Sequence, residues 1–220
     1  MGVKIIITGV TGFVGEGVLL ECLQHPNIME ILIVSRKPSR INHPKIKQCL
    51  IPDFLNLEQF RNQLTAYDAC FYCAGVSSRG LSEKEYHHVT YTTTIYFAEE
   101  LLSLNPNLIF CFISGNLTDS SEKGSLMWAR IKGKTENDLL LLPFKKVYNF
   151  RPGFMKPTLE QKNIKRYYRV IGSLYPLLHV LFPNQVSTMK EVGLAMINSV
   201  INGYHKSILE IEDIKALSKF

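Results

Sequence analysis

No apolar run in this 220-residue sequence is long enough to cross a bilayer. The longest, from Ile171 to Phe182, is interrupted by Pro176 and His179, well short of the roughly 20 residues a spanning helix needs. The first ten residues, MGVKIIITGV, hold only a few apolar positions before Gly9, too few for the apolar core of a secretory signal, so secretion is not expected. Cysteine is sparse, with five in the chain, and without secretory context these are expected to be reduced thiols of a cytoplasmic protein. Cys70 and Cys73 form a C-x-x-C, but they fall in an apolar run that reads as a strand, where alternation puts them on opposite faces. Neither a redox pair nor a metal site is expected there. A basic helix with interleaved aromatics is also lacking, so the net charge of +6 does not imply nucleic acid. The one local concentration of positive charge is Arg36, Lys37, Arg40, Lys45 and Lys47.

What is present is an alternation of short β-branched runs with longer helical periodicities, the pattern of βαβ units feeding a parallel sheet. Strands are expected at Val3 to Thr8, Glu30 to Ser35, Ile46 to Leu50, Ala69 to Cys73, Leu108 to Ser114 and Lys146 to Phe150. Helices are expected at Val14 to Gln24, Leu57 to Leu64, Glu83 to Leu104 and Leu126 to Leu142. Nearly continuous apolar strands suit a sheet covered on both faces. The fold class is therefore α/β, a doubly wound parallel sheet of the Rossmann kind. One domain, residues 1–220, is expected, with residues 154–220 forming a small helical cap on the substrate side. That tail carries a helix from Met189 to Ile201, a short strand near Ile208 and a last helix from Asp213.

The first strand runs into Thr8-Gly9-Val10-Thr11-Gly12-Phe13-Val14-Gly15 and then into a helix. Strand, glycine spacing and helix together predict a dinucleotide-binding turn. Gly9 permits the tight turn, Gly12 lets the backbone approach a pyrophosphate, and Gly15 lets the helix pack on the strand. Backbone N–H groups from Thr11 to Val14, with the helix dipole behind them, would hold the diphosphate. The second strand ends in Val34-Ser35-Arg36-Lys37, with no carboxylate to take the adenosine ribose hydroxyls. Arg36 can fork onto a 2′-phosphate and Ser35 can donate a hydroxyl, which favours NADP over NAD. Asp53, after the third strand, is placed either to accept from the adenine amino group or to cap the helix that follows.

The Gly9 to Gly15 pattern, Ala74-Gly75 after the fourth strand, Ser114 after the fifth, Lys132 within Trp128-Ala-Arg-Ile-Lys132 and Arg151-Pro152-Gly153 after the sixth resemble the short-chain dehydrogenase/reductase superfamily. The match is nearest to its atypical, epimerase-like branch related to the Tat-interacting-protein oxidoreductases, and it covers nearly the whole chain. The resemblance implies that Cys73, Ala74, Gly75, Pro152 and Gly153 border the cofactor, and that Lys132 binds the nicotinamide ribose. It implies that Ser114 orients a substrate carbonyl. The superfamily's catalytic tyrosine falls on Trp128. An indole N–H can donate a hydrogen bond, but it cannot exchange a proton near neutral pH. Tyr167-Tyr168 and Tyr86-His87-His88 contain other proton donors, although such residues on helices are more often packing or surface groups.

Two functions follow. One is an NADP-dependent reductase or epimerase-like enzyme on a small-molecule carbonyl or hydroxyl substrate, with Ser114, Lys132 and Trp128 at the reacting end. The other is a non-catalytic protein that senses NADP(H) and controls a partner. A homo-oligomer is compatible with either.

Overall fold

A computed structural model of the protein describes residues 2–164 and 174–220. Seven parallel strands form one sheet: β1 (Val3–Thr8), β2 (Ile28–Ser35), β3 (Ile46–Leu50), β4 (Ala69–Tyr72), β5 (Ile109–Ile113), β6 (Lys146–Phe150) and β9 (Ile208–Leu209), in the order β3-β2-β1-β4-β5-β6-β9. The first six stand in Rossmann order, and the reversal between β1 and β4 opens a crevice at their C-terminal ends. β7 (Phe154–Lys156) and β8 (Val186–Thr188) pair in parallel as a separate two-stranded sheet.

Strand alternation divides the core in two. Ile5, Ile7, Ile31, Ile33, Phe71 and Cys111 face one side, where α1 (Phe13–Gln24), α7 (Met189–Ile201) and α8 (Ile211–Leu217) pack on them. Ile6, Leu32, Val34, Cys70, Tyr72 and Phe110 face the other, covered by α2 (Arg61–Leu64), α4 (Thr93–Leu104) and α5 (Met127–Leu141). Cys70 and Cys73 thus belong to opposite faces, and all five thiols are free.

Two helices expected from periodicity are broken. After β3, the Asp53 carboxylate accepts from Leu55 N–H and its carbonyl from Asn56 N–H, and the expected Leu57 to Leu64 stretch is helical but composite, a 3₁₀ turn, Glu58–Phe60, followed by the single turn of α2. From Glu83 the chain forms α3 (Glu83–His87), a π turn over His88–Thr92 and then α4. There Thr93 Oγ1 donates to His88 O and Thr94 Oγ1 to Thr90 O, and such hydroxyl back-bonding competes with the regular ladder. α3 itself starts on a capping box between Ser82 and Glu85. α6 (Tyr175–Leu181) follows the undescribed stretch, which contains Tyr167 and Tyr168, and α7 opens on a Thr188–Glu191 capping box. β7 and β8 have no clear period in sequence. Of the tail, β9 completes the sheet, and α7 and α8 complete the core beside α1.

Candidate functional site

The C-terminal ends of β1, β2, β4 and β5 surround a cleft of about 1210 Å³. Gly9, Thr11, Gly12, Phe13, Val14, Ser35, Arg36, Asp53, Cys73, Ala74, Gly75, Ser114, Lys132 and Pro152 all border it. The linear positions singled out above thus converge at the switch point of the sheet, where open α/β sheets bind ligands.

The three glycines do different things. Gly9 has φ +71°, and a Cβ there would lie 2.5 Å from Cys73 O and 2.6 Å from Ala74 N. Thr8 Oγ1 accepts from the N–H groups of Cys73 and Ala74, drawing the ends of β1 and β4 together against that glycine. A Cβ at Gly15 would lie 2.3 Å from Gly9 O, so only glycine lets α1 rest on the turn. At Gly12 a Cβ would meet only Gly9 O, at 3.3 Å. The room beside Gly12 therefore belongs to the cleft. Gly12 N–H donates back to Gly9 O at 2.9 Å, one fewer outward N–H than expected from the sequence. Gly12 puts no side-chain cap on α1, so the first-turn amides retain their affinity for an anion.

A loop from the tail closes over this turn. Glu16, buried in the first turn of α1, accepts from Lys162 N–H and Asn163 N–H, the latter at 2.7 Å. Gln161 Nε2 donates to Phe13 O at 2.7 Å, while its Oε1 accepts from Thr158 N–H. Lys162, Asn163 and Ile164 thereby border the cleft beside the glycine turn. Sequence reasoning missed this latch, because nothing in the sequence links Glu16 to residues 162–163.

At the β2 end of the cleft, Arg36 is exposed on the rim and has no ion-pair or hydrogen-bond partner among the described residues. Ser35 Oγ donates to Lys37 O at 2.6 Å, so its proton serves the local turn and its oxygen is left to accept. Two lysines of the basic cluster, Lys45 and Lys47, are engaged elsewhere. Lys45 Nζ donates to Leu23 O and His25 O at the end of α1, and Lys47 pairs with Glu30.

At the opposite end, Lys132 Nζ donates to Ser114 O at 2.9 Å and to Ile113 O at 3.2 Å, and lies 5.6 Å from the centre of the Phe112 ring. Burial pushes its pKa down to about 8, against a smaller opposing pull from Glu136 one turn later. Ser114 is buried, and its Oγ shares a 2.9 Å hydrogen bond with Thr118 Oγ1. Trp128 is half-buried on the first turn of α5 and does not border the cleft; its ring edge is the nearest atom, at 3.5 Å, to a Cβ built on Gly115. Gly153 is likewise off the cleft, packed so that a Cβ would strike Gln185 O. Tyr86, His88 and Thr90 do border it, carried there by α3 and the π turn. Tyr86 is buried, and burial raises its phenol pKa. Among the described residues no cluster of His, Cys, Asp or Glu could hold a metal ion, and no helix is long and apolar enough to cross a membrane.

Solved structures share the architecture. The chain is similar to the Bordetella bronchiseptica enzyme WbmF, seen in complex with NAD+, with 12% identity over 99% of this chain and 78% of that one, at a TM-score of 0.65. ADP-L-glycero-D-manno-heptose-6-epimerase of Helicobacter pylori is 16% identical over 99% and 81%, at 0.66. A short-chain dehydrogenase/reductase of Saccharomyces cerevisiae is 14% identical over 100% and 99%, at 0.68. At such identities the likeness shows the fold. No curated protein matches the sequence. The model of the NAD dependent epimerase/dehydratase family does match it, over residues 5–119. That stretch runs from β1 to the loop after β5 and includes the glycine turn and Ser114, and the chain belongs to the NAD dependent epimerase/dehydratase family.

Proposed function

We propose that the protein is an NADP-dependent oxidoreductase or epimerase-like enzyme acting on a carbonyl or hydroxyl group of a small molecule. The observation that carries the reading is the pairing of an open glycine cradle with an unpartnered Arg36 at the other end of the same cleft. A dinucleotide fits this cleft, because Gly12 leaves space for a diphosphate that any side chain there would fill. When bound, NADP(H) supplies or accepts a hydride. The uncapped start of α1 would hold its diphosphate and Arg36 its 2′-phosphate, while Asp53 keeps one carboxylate oxygen for the adenine side. Lys132 uses two of its three N–H groups on Ile113 and Ser114 carbonyls and keeps the third for a ribose hydroxyl. Ser114, oriented by Thr118, would donate to the substrate oxygen. Trp128, in the place of the family's tyrosine, would leave the proton to water or to another group on the cleft. The free thiols fit a reducing, cytoplasmic setting.

The test combines cofactor titration with turnover. Arg36→Glu should weaken NADPH binding by at least tenfold while changing NADH binding little, because it removes a charge-assisted bond of about 1.5 to 3 kcal/mol and adds a like charge. Superimposable NADPH curves for wild type and variant would refute the NADP assignment. Loss of NADPH absorbance against a panel of ketones, aldehydes and sugar nucleotides, with Trp128→Tyr alongside, tests catalysis. The position of Trp128 off the cleft favours a second reading, a protein that binds NADP(H) to order its tail and so control a partner. NADPH binding without turnover in both proteins would put that reading first.

A further inference from the structure

α6 and its flanks present apolar side chains that the proposed chemistry does not use. Within nine residues, Leu174, Leu177, Val180, Leu181 and Phe182 are each exposed, Val180 by 76%. Single exposed leucines are ordinary, but a contiguous group on one short helix marks a surface that meets another phase or molecule. A lysine stands at each end of this element. Lys156 Nζ lies 5.3 Å from the centre of the Tyr175 ring, and Lys215 Nζ donates to Pro183 O at 2.6 Å. Glu191, the carboxylate whose charge acts on Tyr175, is taken up by the N–H and hydroxyl of Thr188.

We propose that α6, with Leu174 and Phe182, is an interfacial anchor that seats the protein on an anionic lipid surface. Seven helical residues span about 10 Å, far too little to cross a bilayer, but enough to lie in its interface with the leucines immersed to the level of the acyl boundary. The lysines at the two ends then fall among the headgroups, where each adds attraction to negative lipid. The same charges disfavour a second copy of the chain as the occupant. A two-fold pairing of α6 on itself sets lysine against lysine whether the helices run parallel or antiparallel, in a chain already at +6. Lys156 follows Met155, which borders the cleft, so a seated molecule holds the cleft near the lipid.

The experiment is cosedimentation of the full chain with sucrose-loaded vesicles of phosphatidylcholine, alone and with phosphatidylserine. Wild type should pellet with the phosphatidylserine vesicles, less so as salt is raised, and remain in solution with phosphatidylcholine alone. Lys156→Gln and Lys215→Gln should each lower the partition coefficient about fivefold, the ratio that corresponds to ~1 kcal/mol per surface lysine. The Val180→Glu/Leu181→Glu variant should stay in solution with an unchanged circular dichroism spectrum and melting temperature. Light scattering without lipid should give a monomer mass, or a larger mass that Val180→Glu/Leu181→Glu leaves unaltered. Failure of wild type to pellet overturns the proposal, as does equal pelleting with both vesicles. A dimer that this variant dissociates would give the face to a second copy instead. None of these outcomes depends on NADPH binding or turnover.

Discussion

Lys132 shows how a residue can be legible in type and position while its electrostatics are not. Its place four residues after Trp128 is plain in the sequence, but only the fold reveals that two carbonyls and an aromatic ring enclose the ammonium. Because burial holds the native pKa near 8, below the ordinary 10.5, the unfolded chain binds this proton more tightly between those values. Unfolding free energy therefore rises with pH across pH 8 to 10.5, and the cost of the buried charge is present in full only below pH 8. The expected outcome is that wild type gains stability relative to Lys132→Met over this window in urea titrations at stepped pH. A difference that is flat from pH 8 to 10.5 would show that the ammonium is not buried. Arg36, Ser35 and Asp53 were readable as rim residues from the end of β2 and the start of the loop after β3. Ser35 and Asp53 then proved to have local turn bonds as well, because a short polar side chain finds its own backbone before it finds a ligand.

Elements were legible where hydrophobic period and glycine spacing agreed, as in β1, α1 and α5, and less so where side-chain hydroxyls or carboxylates intercept the backbone. The π turn at His88–Thr92 is such a case. A run of threonines looks helical by period, yet Thr93 and Thr94 bond backwards and widen the turn that carries His88 and Thr90 to the cleft. The latch between Glu16 and residues 162–163 lies beyond sequence reasoning altogether, since its partners are about 146 residues apart. It joins the first turn of α1 to the loop that shares the cleft wall. Glu16→Ala leaves two backbone N–H groups and the Gln161 loop without their main tie. It should cost roughly 1 to 3 kcal/mol, the usual effect of stranding partly buried donors of a charged acceptor. Limited proteolysis should then cut near residues 158–164 faster, while amides of β1 keep their exchange protection. An unchanged cleavage rate would mean that the loop is held by other contacts.

At the scale of the whole molecule, one buried ion pair ties together the elements around Lys132 and the end of β5. Arg151, just past β6, bonds through Nε to both Glu136 oxygens on α5, at 3.0 and 3.1 Å, and again through a terminal nitrogen. Nη1 reaches Glu210, ahead of α8, at 3.1 Å, and Nη2, the terminal nitrogen shared with Glu136, also reaches Ser120, after β5, at 2.6 Å. Glu136 lies one turn after Lys132, so the pair also fixes the helix that presents the lysine. The two partners are not equivalent. Glu136 is fully buried, and Arg151 is its only ion-pair partner among the described residues. Arg151 also has Glu210, whose side chain is 45% exposed and can be hydrated when released. Arg151→Met should therefore cost the most, on the order of 3 to 5 kcal/mol, because it strands a carboxylate in the core. Glu136→Leu should cost less, since the guanidinium keeps Glu210 and Ser120. The combination Glu136→Leu/Arg151→Met should be more stable than Arg151→Met alone, because apolar groups of similar volume need no charge partner. Urea titration of the three variants and wild type gives the order directly. If Arg151→Met and Glu136→Leu destabilise equally and their effects add in the double variant, the pair acts as two separate contacts, and α5 is held in place by its packing alone.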